Sequence, residues 1–519
     1  MRILIVVDTM QSAITKLAKM VQKYNEHLLI DIFPFHPKKY TEEDLKKYKE
    51  LAEKADLIDF EYFKNALILI EKFPCFKDKK KILTHHNPYN LLEDKWEDFD
   101  VLVAKNKTQQ KVLRDAVYIP HAVDLDFHEY SSDYTKEKVV GMVANRIEGK
   151  KGIKEVAQAC KELGYTFLLI GRISRMDYFQ EVMQINPETE FQESVSDEDL
   201  KALYKEMMVL VCNSIDNFES GTMPILEAMA TGIPVLTRKI GLVPDIFDGD
   251  NMVVREGDTS DVENLKNELT ALVENEERRL KMRKDAWNTV RHFSDIKMAK
   301  CYAKLYNETL FKEPLASVIM STYNRKEQVI EILKSLDNQT YKNIEAVVAD
   351  DNSTDGTEKA VKELREKVHY PIKYINTHKE GYNLAMARNM AIIESEGKVL
   401  IFCGSRLKPD KEAVQKFVKA FSDNDDAIWY FGDKGSQKKT FTEGFSAIKR
   451  DDLVNGGMFN ERITAYGGMT QDISTRFNRL GFELKYLPEA KAEELVSTRS
   501  SNRRNEIWKM KFKLWQLYN

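Results

Sequence analysis

Cysteine is scarce: Cys75, Cys160, Cys212, Cys301 and Cys403 are scattered, odd in number, and no pair has CxxC spacing. This excludes a disulfide framework or a thiolate zinc site as the organising device and fits a reducing compartment. Long apolar runs are also missing. The opening MRILIVVDT is apolar only over Ile3–Val7, too short for the core of a signal peptide. Nowhere does the chain approach the ~20 apolar residues of a membrane span. Nor does charge of one sign prevail. The 79 basic and 83 acidic residues leave a net −4, with no global pull toward nucleic acid or anionic membrane. Tandem repeats and low-complexity linkers are absent. What remains is 519 residues, 43% hydrophobic and 31% charged, enough for about three domains of a soluble or peripheral, cytoplasmic protein.

The organisation is an alternation of short apolar strands with helices. Ile3–Val7 reads as a buried parallel strand, followed by a helix over Ala13–Tyr24. Further strands are expected at Ala66–Ile70, Lys81–Thr84, Val101–Ala104 and Val117–Ile119. A second series is expected at Val139–Val143, Thr166–Ile170, Val209–Cys212 and Pro234–Leu236. The second series ends near Asp250, and a helical stretch runs to about Phe311. After Pro314 the pattern restarts, with a strand at Glu345–Ala349. This is the pattern of doubly wound α/β domains. The divisions it suggests are residues 1–125, 126–311 and 312–519.

The segment NSIDNFESGTMPILEAMATGIPVL (Asn213–Leu236) carries Glu219 and Glu227 seven residues apart, with Gly221 between them. Pro224 can open a helix, which would place Glu227 in its first turn. A helix start at the carboxyl end of a strand suits a phosphate. A carboxylate beside it can hold sugar or ribose hydroxyls, although a glutamate there also favours the helix dipole without any function. FESGTMPILEAMATGIPV resembles the signature ExFGxxxxEAMAxGxPV of family-4, retaining glycosyltransferases of the GT-B fold. VVGMVANRIEGKKGI (Val139–Ile153), FLLIGR (Phe167–Arg172), IPHAVDLDFH (Ile119–His128) and ILTHHNPY (Ile82–Tyr89) resemble further elements of that family in the same order. The resemblance covers about residues 1–311. It implies a pair of Rossmann-like domains, the first for the acceptor and the second for a nucleotide diphosphate sugar. Glu219 and His86 would be catalytic, and Arg146, Lys151, Gly221, Thr222 and Glu227 would bind the donor. No metal is implied for this module, because Arg146 and Lys151 would stabilise the departing nucleotide. Two departures stand out. His121 and Ala122 replace the family's Asn-Gly, and the loop DTMQSAITK (Asp8–Lys16) has no glycine where the family often has several.

The third region resembles family-2 glycosyltransferases of GT-A fold. The matching segments are ASVIMSTYNR (Ala316–Arg325), VVADDNSTDGT (Val347–Thr357), NLAMARNMAI (Asn383–Ile392) and GGMFNERITAYGG (Gly456–Gly468). Asp350, Asp351 and Arg388 would face the nucleotide. The metal-binding Asp-x-Asp is missing: Gly404 and Arg406 stand at its positions in VLIFCGSRLKPD. Met469 and Thr470 occupy the acidic positions of the family's base motif, with Asp472 two residues on. The late metal-ligand histidine is absent from AKAEELVST. The simpler reading is a binding or assembly module that has lost metal-dependent chemistry. The alternative has Arg406 as the charge clamp and Asp472 as base.

The tail RRNEIWKMKFKLWQLYN (Arg503–Asn519) is basic, with Trp508, Phe512 and Trp515 on one helical face. It is expected to dock on the last domain or on another subunit of a homo-oligomer. A peripheral helix at an anionic membrane is the alternative. The function these observations imply is sugar transfer through the first module. A bifunctional enzyme and a noncatalytic glycan- or nucleotide-binding protein stand as alternatives. Neither the donor sugar nor the acceptor (glycan, glycolipid, protein or nucleobase) is specified.

Overall fold

The computed structural model describes residues 1–10, 12–86, 96–113, 115–131, 135, 137–215, 219, 221–422, 427–435, 439–465 and 467–495. The basic aromatic tail lies outside these residues. The chain forms two compact units. One comprises residues 2–26 and 30–309; the other comprises 310–519 with residues 1 and 27–29.

The first unit holds two six-stranded sheets. β1 (Arg2–Val7), β2 (Leu29–Pro34), β3 (Leu57–Phe60), β4 (Lys80–His85), β5 (Val101–Ala104) and β6 (Val117–Tyr118) lie in the order β2-β1-β3-β4-β5-β6. The pairings from β1 through β6 are parallel. After Arg2, β1 is continuously apolar, and Ile3 to Val7 are all fully buried. The helix Ala13–Tyr24 forms where it was expected, and Ser12 caps it by accepting from Thr15 N–H. The run ALILI is not a strand. It lies in the helix Phe63–Lys72, where Phe63, Ala66 and Leu69 turn one face into the core at a three-residue spacing. The strand is β3, whose sequence LIDF carries a buried Asp59.

The second sheet comprises β7 (Val139–Ile147), β8 (Thr166–Ile173), β9 (Glu190–Glu193), β10 (Val209–Cys212), β11 (Val235–Thr237) and β12 (Val253–Val254), in the order β12-β11-β10-β7-β8-β9. All its pairings are parallel. Alternate residues face two separate cores: Val140, Met142 and Leu169 on one side, Val139, Leu168 and Leu210 on the other. The chain crosses between the sheets through Ile119–His128, where Val123 N–H donates to Phe293 O at 3.0 Å. The final helix, Asp295–Leu310, then returns to the first sheet. Its Tyr306 hydroxyl donates to Asp59 at 2.7 Å, and its Tyr302 hydroxyl accepts from Lys105 Nζ at 2.7 Å.

The second unit is one eight-stranded mixed sheet. Its strands are β13 (Ala316–Thr322), β14 (Ile344–Asp350), β15 (Ile372–Asn376), β16 (Val399–Cys403), β17 (Leu407–Pro409), β18 (Ile428–Asp433), β19 (Phe445–Lys449) and β20 (Glu483–Glu494). The order is β15-β14-β13-β16-β19-β18-β20-β17. The first four are parallel, and β19 joins β16 antiparallel. No helix among the described residues is long and apolar enough to cross a membrane.

Candidate active site

The carboxyl ends of the first sheet collect polar side chains in a buried environment. Glu61 follows β3, His86 follows β4, Lys105 follows β5, and His121 lies on the crossing segment. Glu61 Oε2 meets His86 Nε2 at 2.5 Å, and His86 Nδ1 meets His121 Nε2 at 3.3 Å. Burial raises the carboxyls of Asp59 and Glu61 and depresses both imidazoles and the Lys105 amine. His85, which ends β4, instead packs its ring 5.2 Å from Trp96. His86 is therefore the histidine that joins the cluster. Glu61 carries no signal in the sequence. It follows a strand disguised by its own acid, and its position becomes meaningful only once β3 and β4 are side by side.

The His121 ring lies against the loop that opens the key helix of the second sheet. A Cβ at Gly221 would collide with it. Gly221→Ala is thus expected to displace His121 and destabilise the fold by about 1–3 kcal/mol. Thermal unfolding measures this, and a melting point unchanged from wild type would refute the contact.

At the second sheet, β7 is irregular between Ala144 and Ile147, which leaves Asn145 and Arg146 exposed. A tight turn over Gly149–Lys151 follows. Gly152 (φ 65°) lies where a Cβ would strike the Asn213 side chain and carbonyl. That close approach brings Lys151 beside the end of β10. Lys151 Nζ forms an ion pair with Glu219 Oε1, with side chains 15% and 16% exposed. Ser214 Oγ donates to the same carboxylate oxygen at 2.9 Å. Arg238 anchors the Ser214 carbonyl at 3.1 Å. Thr222 is the N-cap of the helix Met223–Thr231, and its buried hydroxyl has no partner among the described residues. Glu227 is the fifth residue of this helix rather than part of its first turn, because the helix opens at Met223 with Pro224 second. Its Oε2 accepts from the Tyr204 hydroxyl at 2.7 Å, its Oε1 lies 4.0 Å from His128 Nε2, and burial raises its carboxyl. Arg146 stands near Tyr62 and shows no ion pair with Lys151's partner Glu219.

In the second unit a cavity of about 1120 Å³ opens at the carboxyl ends of β13, β14 and β16. Asp351, Arg388 and Arg406 line it; Asp350 and Asp472 do not. Asp350 is fully buried, accepting from Ser353 N–H at 2.8 Å and from the Tyr374 hydroxyl. Asp472 is turned into the fold, accepting from Asn460 at 3.2 Å and from Arg476 at 3.1 Å. The cavity instead holds a carboxylate that sequence analysis did not single out, Glu443. Arg388 Nη1 donates to its Oε1 at 3.0 Å, and the Thr470 hydroxyl donates to Oε2. Burial pushes the Glu443 carboxyl up, but the Arg388 guanidinium and the hydrogen bonds it receives, Thr470's among them, together hold it below its usual range.

The sheets fix the fold, and matches to family models make the chain a glycosyltransferase. Residues 126–289 match the family of glycosyl transferases group 1, and residues 317–479 match glycosyl transferase family 2. The chain therefore joins a segment of each family, with the GT-B arrangement first in sequence and the GT-A-like domain after it. A dolichol-phosphate mannosyltransferase of Pyrococcus furiosus is 35% identical over 180 residues, 32% of this chain and 50% of that protein. The chain thus spans half the length of this relative. The putative teichuronic acid biosynthesis glycosyltransferase TuaG of Bacillus subtilis is 25% identical over 229 residues, 40% of this chain and 88% of that protein. Among solved structures, Anabaena HepE in complex with UDP-glucose shares the fold. Its TM-score is 0.50 at 16% identity, covering 59% of this chain and all of that one.

Proposed function

We propose that the first unit transfers a sugar from a nucleotide diphosphate sugar to a hydroxyl of its acceptor, with retention of anomeric configuration and without a divalent ion. The observation that carries this reading is the meeting of Lys151, Glu219 and Ser214 beside Gly221 and the open helix start at Thr222. There a cation faces the departing diphosphate and a carboxylate faces sugar hydroxyls. His86, oriented by Glu61, serves the reacting sugar from the first sheet. Arg146 completes the clamp when donor is bound, and Glu227 holds donor hydroxyls. The proposed divisions are 1–125 for the acceptor, 126–311 for the donor, and 312–519 for a second, metal-altered module. The acceptor is proposed to be a glycan or a lipid phosphate, the classes to which the two relatives' names point, with the protein working at the cytoplasmic side of the membrane.

A panel of nucleotide sugars, screened by thermal shift, identifies the donor, since ligand binding to the folded state raises the melting point. Transfer in EDTA, followed by proton NMR of the new anomeric centre, then tests the chemistry. The donor's configuration is expected in the first-formed product. Inversion in that product rejects retention, and full activity in Glu227→Ala places the transfer elsewhere.

A further inference from the structure

Family-2 enzymes hold a divalent cation where this chain departs from their pattern, and the residues present do not fit one. Gly404 offers no side-chain ligand. The Arg406 guanidinium has donors and no lone pair. The carboxylates facing the cavity are already engaged or peripheral. Glu443 is held by Arg388 and Thr470, Asp351 accepts from Asn383 N–H at 2.8 Å and from the Thr377 hydroxyl at 3.4 Å, and Glu494 is exposed at the rim. A hard divalent cation needs several oxygen ligands converging on one point. Among the described residues no group of three or more His, Cys, Asp or Glu side chains is arranged to hold one.

The cations of the cavity are arranged differently. Arg388 is neutralised by Glu443 and sits against Phe459, its guanidinium 5.1 Å from the ring. Arg406 is half-buried, and its guanidinium makes no hydrogen bond or ion pair among the described residues. Lys434 is half-buried, with its amine donating to Thr442 Oγ1. Arg325 lines the same space just beyond the end of β13. The half-buried Arg406 guanidinium has no protein counter-ion among the described residues, so an anion entering the cavity can pair with it. The planar fork of arginine matches phosphate oxygens. Across the cavity, Asp351 retains acceptor capacity for a hydroxyl or N–H.

We propose that the cavity of the second unit binds a nucleoside diphosphate group through Arg406, with Arg325 and Lys434 beside it, in place of a divalent cation. The acid lost from the helix Met469–Arg479 is replaced by Glu443, which arrives from the segment before β19. Its task is to tie down Arg388 and Thr470, leaving Arg406 as the arginine that meets the ligand.

The full-length chain, in EDTA, is titrated calorimetrically with UDP, GDP, ADP, CDP and inorganic pyrophosphate. Lys151→Ala is the parent, so that the first unit's site is weakened and the failure of either reading is seen separately. At least one nucleoside diphosphate is expected to bind this parent, and adding Arg406→Ala is expected to weaken it by about tenfold or more. Arg406→Gln repeats the comparison if the alanine variant does not fold, and the ligand-free melting point serves as the folding control. The proposal is overturned if no probe binds in an Arg406-dependent way in EDTA. It is equally overturned if binding appears only when Mg²⁺ or Mn²⁺ is supplied.

Discussion

Replacing Lys151 with alanine is expected to lower kcat for sugar transfer roughly a thousandfold, on the order of 4 kcal/mol of transition-state stabilisation. The side chain is only 15% exposed and its ammonium lies against Glu219, so its charge acts in a poorly solvated place. Charge developing on a departing diphosphate would lose this cation, and among the described residues Glu219 would keep the Ser214 hydroxyl as its donor. Because this stabilisation is needed mainly at the transition state, KM should change much less than kcat. Lys151→Arg retains the charge with a different reach and is expected to recover part of the rate. Steady-state kinetics in EDTA with the identified donor decide the matter, and a loss below tenfold would remove Lys151 from the chemistry.

The largest effect on stability is expected at Lys105. Its amine is fully buried, donates to Tyr302 at 2.7 Å, and lies near both Asp59 and Glu61. Lys105→Met keeps the volume and leaves those carboxyls without their cation, which costs about 3–5 kcal/mol. The cost depends on pH. Both carboxyls already sit above their usual range through burial, and removing the ammonium raises them further. A carboxyl raised in the folded state contributes stability at low pH that is lost as pH rises through the folded value. The deficit of Lys105→Met is therefore smallest near about pH 5 and grows toward about pH 8. Urea unfolding of the full chain at both values measures it. A deficit that is equal at both, or larger in acid, contradicts this account.

Legibility in the sequence followed the physics of each signal. β1, β5 and β10 were readable because strands covered on both faces are continuously apolar. The helix Ala13–Tyr24 was readable because a serine cap precedes a periodic pattern. ALILI misled because five apolar residues carry no period, and its helical face emerges only when Phe63 is included. At the site, Lys151 and Glu219 are 68 residues apart, so their contact was legible only through resemblance to a known motif. Glu61 and Glu443 were not legible at all. Neither falls in a familiar pattern, and each gains its place from pairing between distant segments, Glu61 with His86 and Glu443 with Arg388 and Thr470.

The last helix of the first unit limits how the half built on β7–β12 can be handled or exchanged. The matched group 1 segment stops at residue 289, before the helix Asp295–Leu310 begins. Yet the hydroxyls that meet Asp59 and Lys105 belong to that helix. A swap of the β7–β12 half between relatives that cuts at the family border would thus strip the β1–β6 half of its plug. The inheritable piece is longer than the recognisable one: it must carry its neighbour's stopper with it.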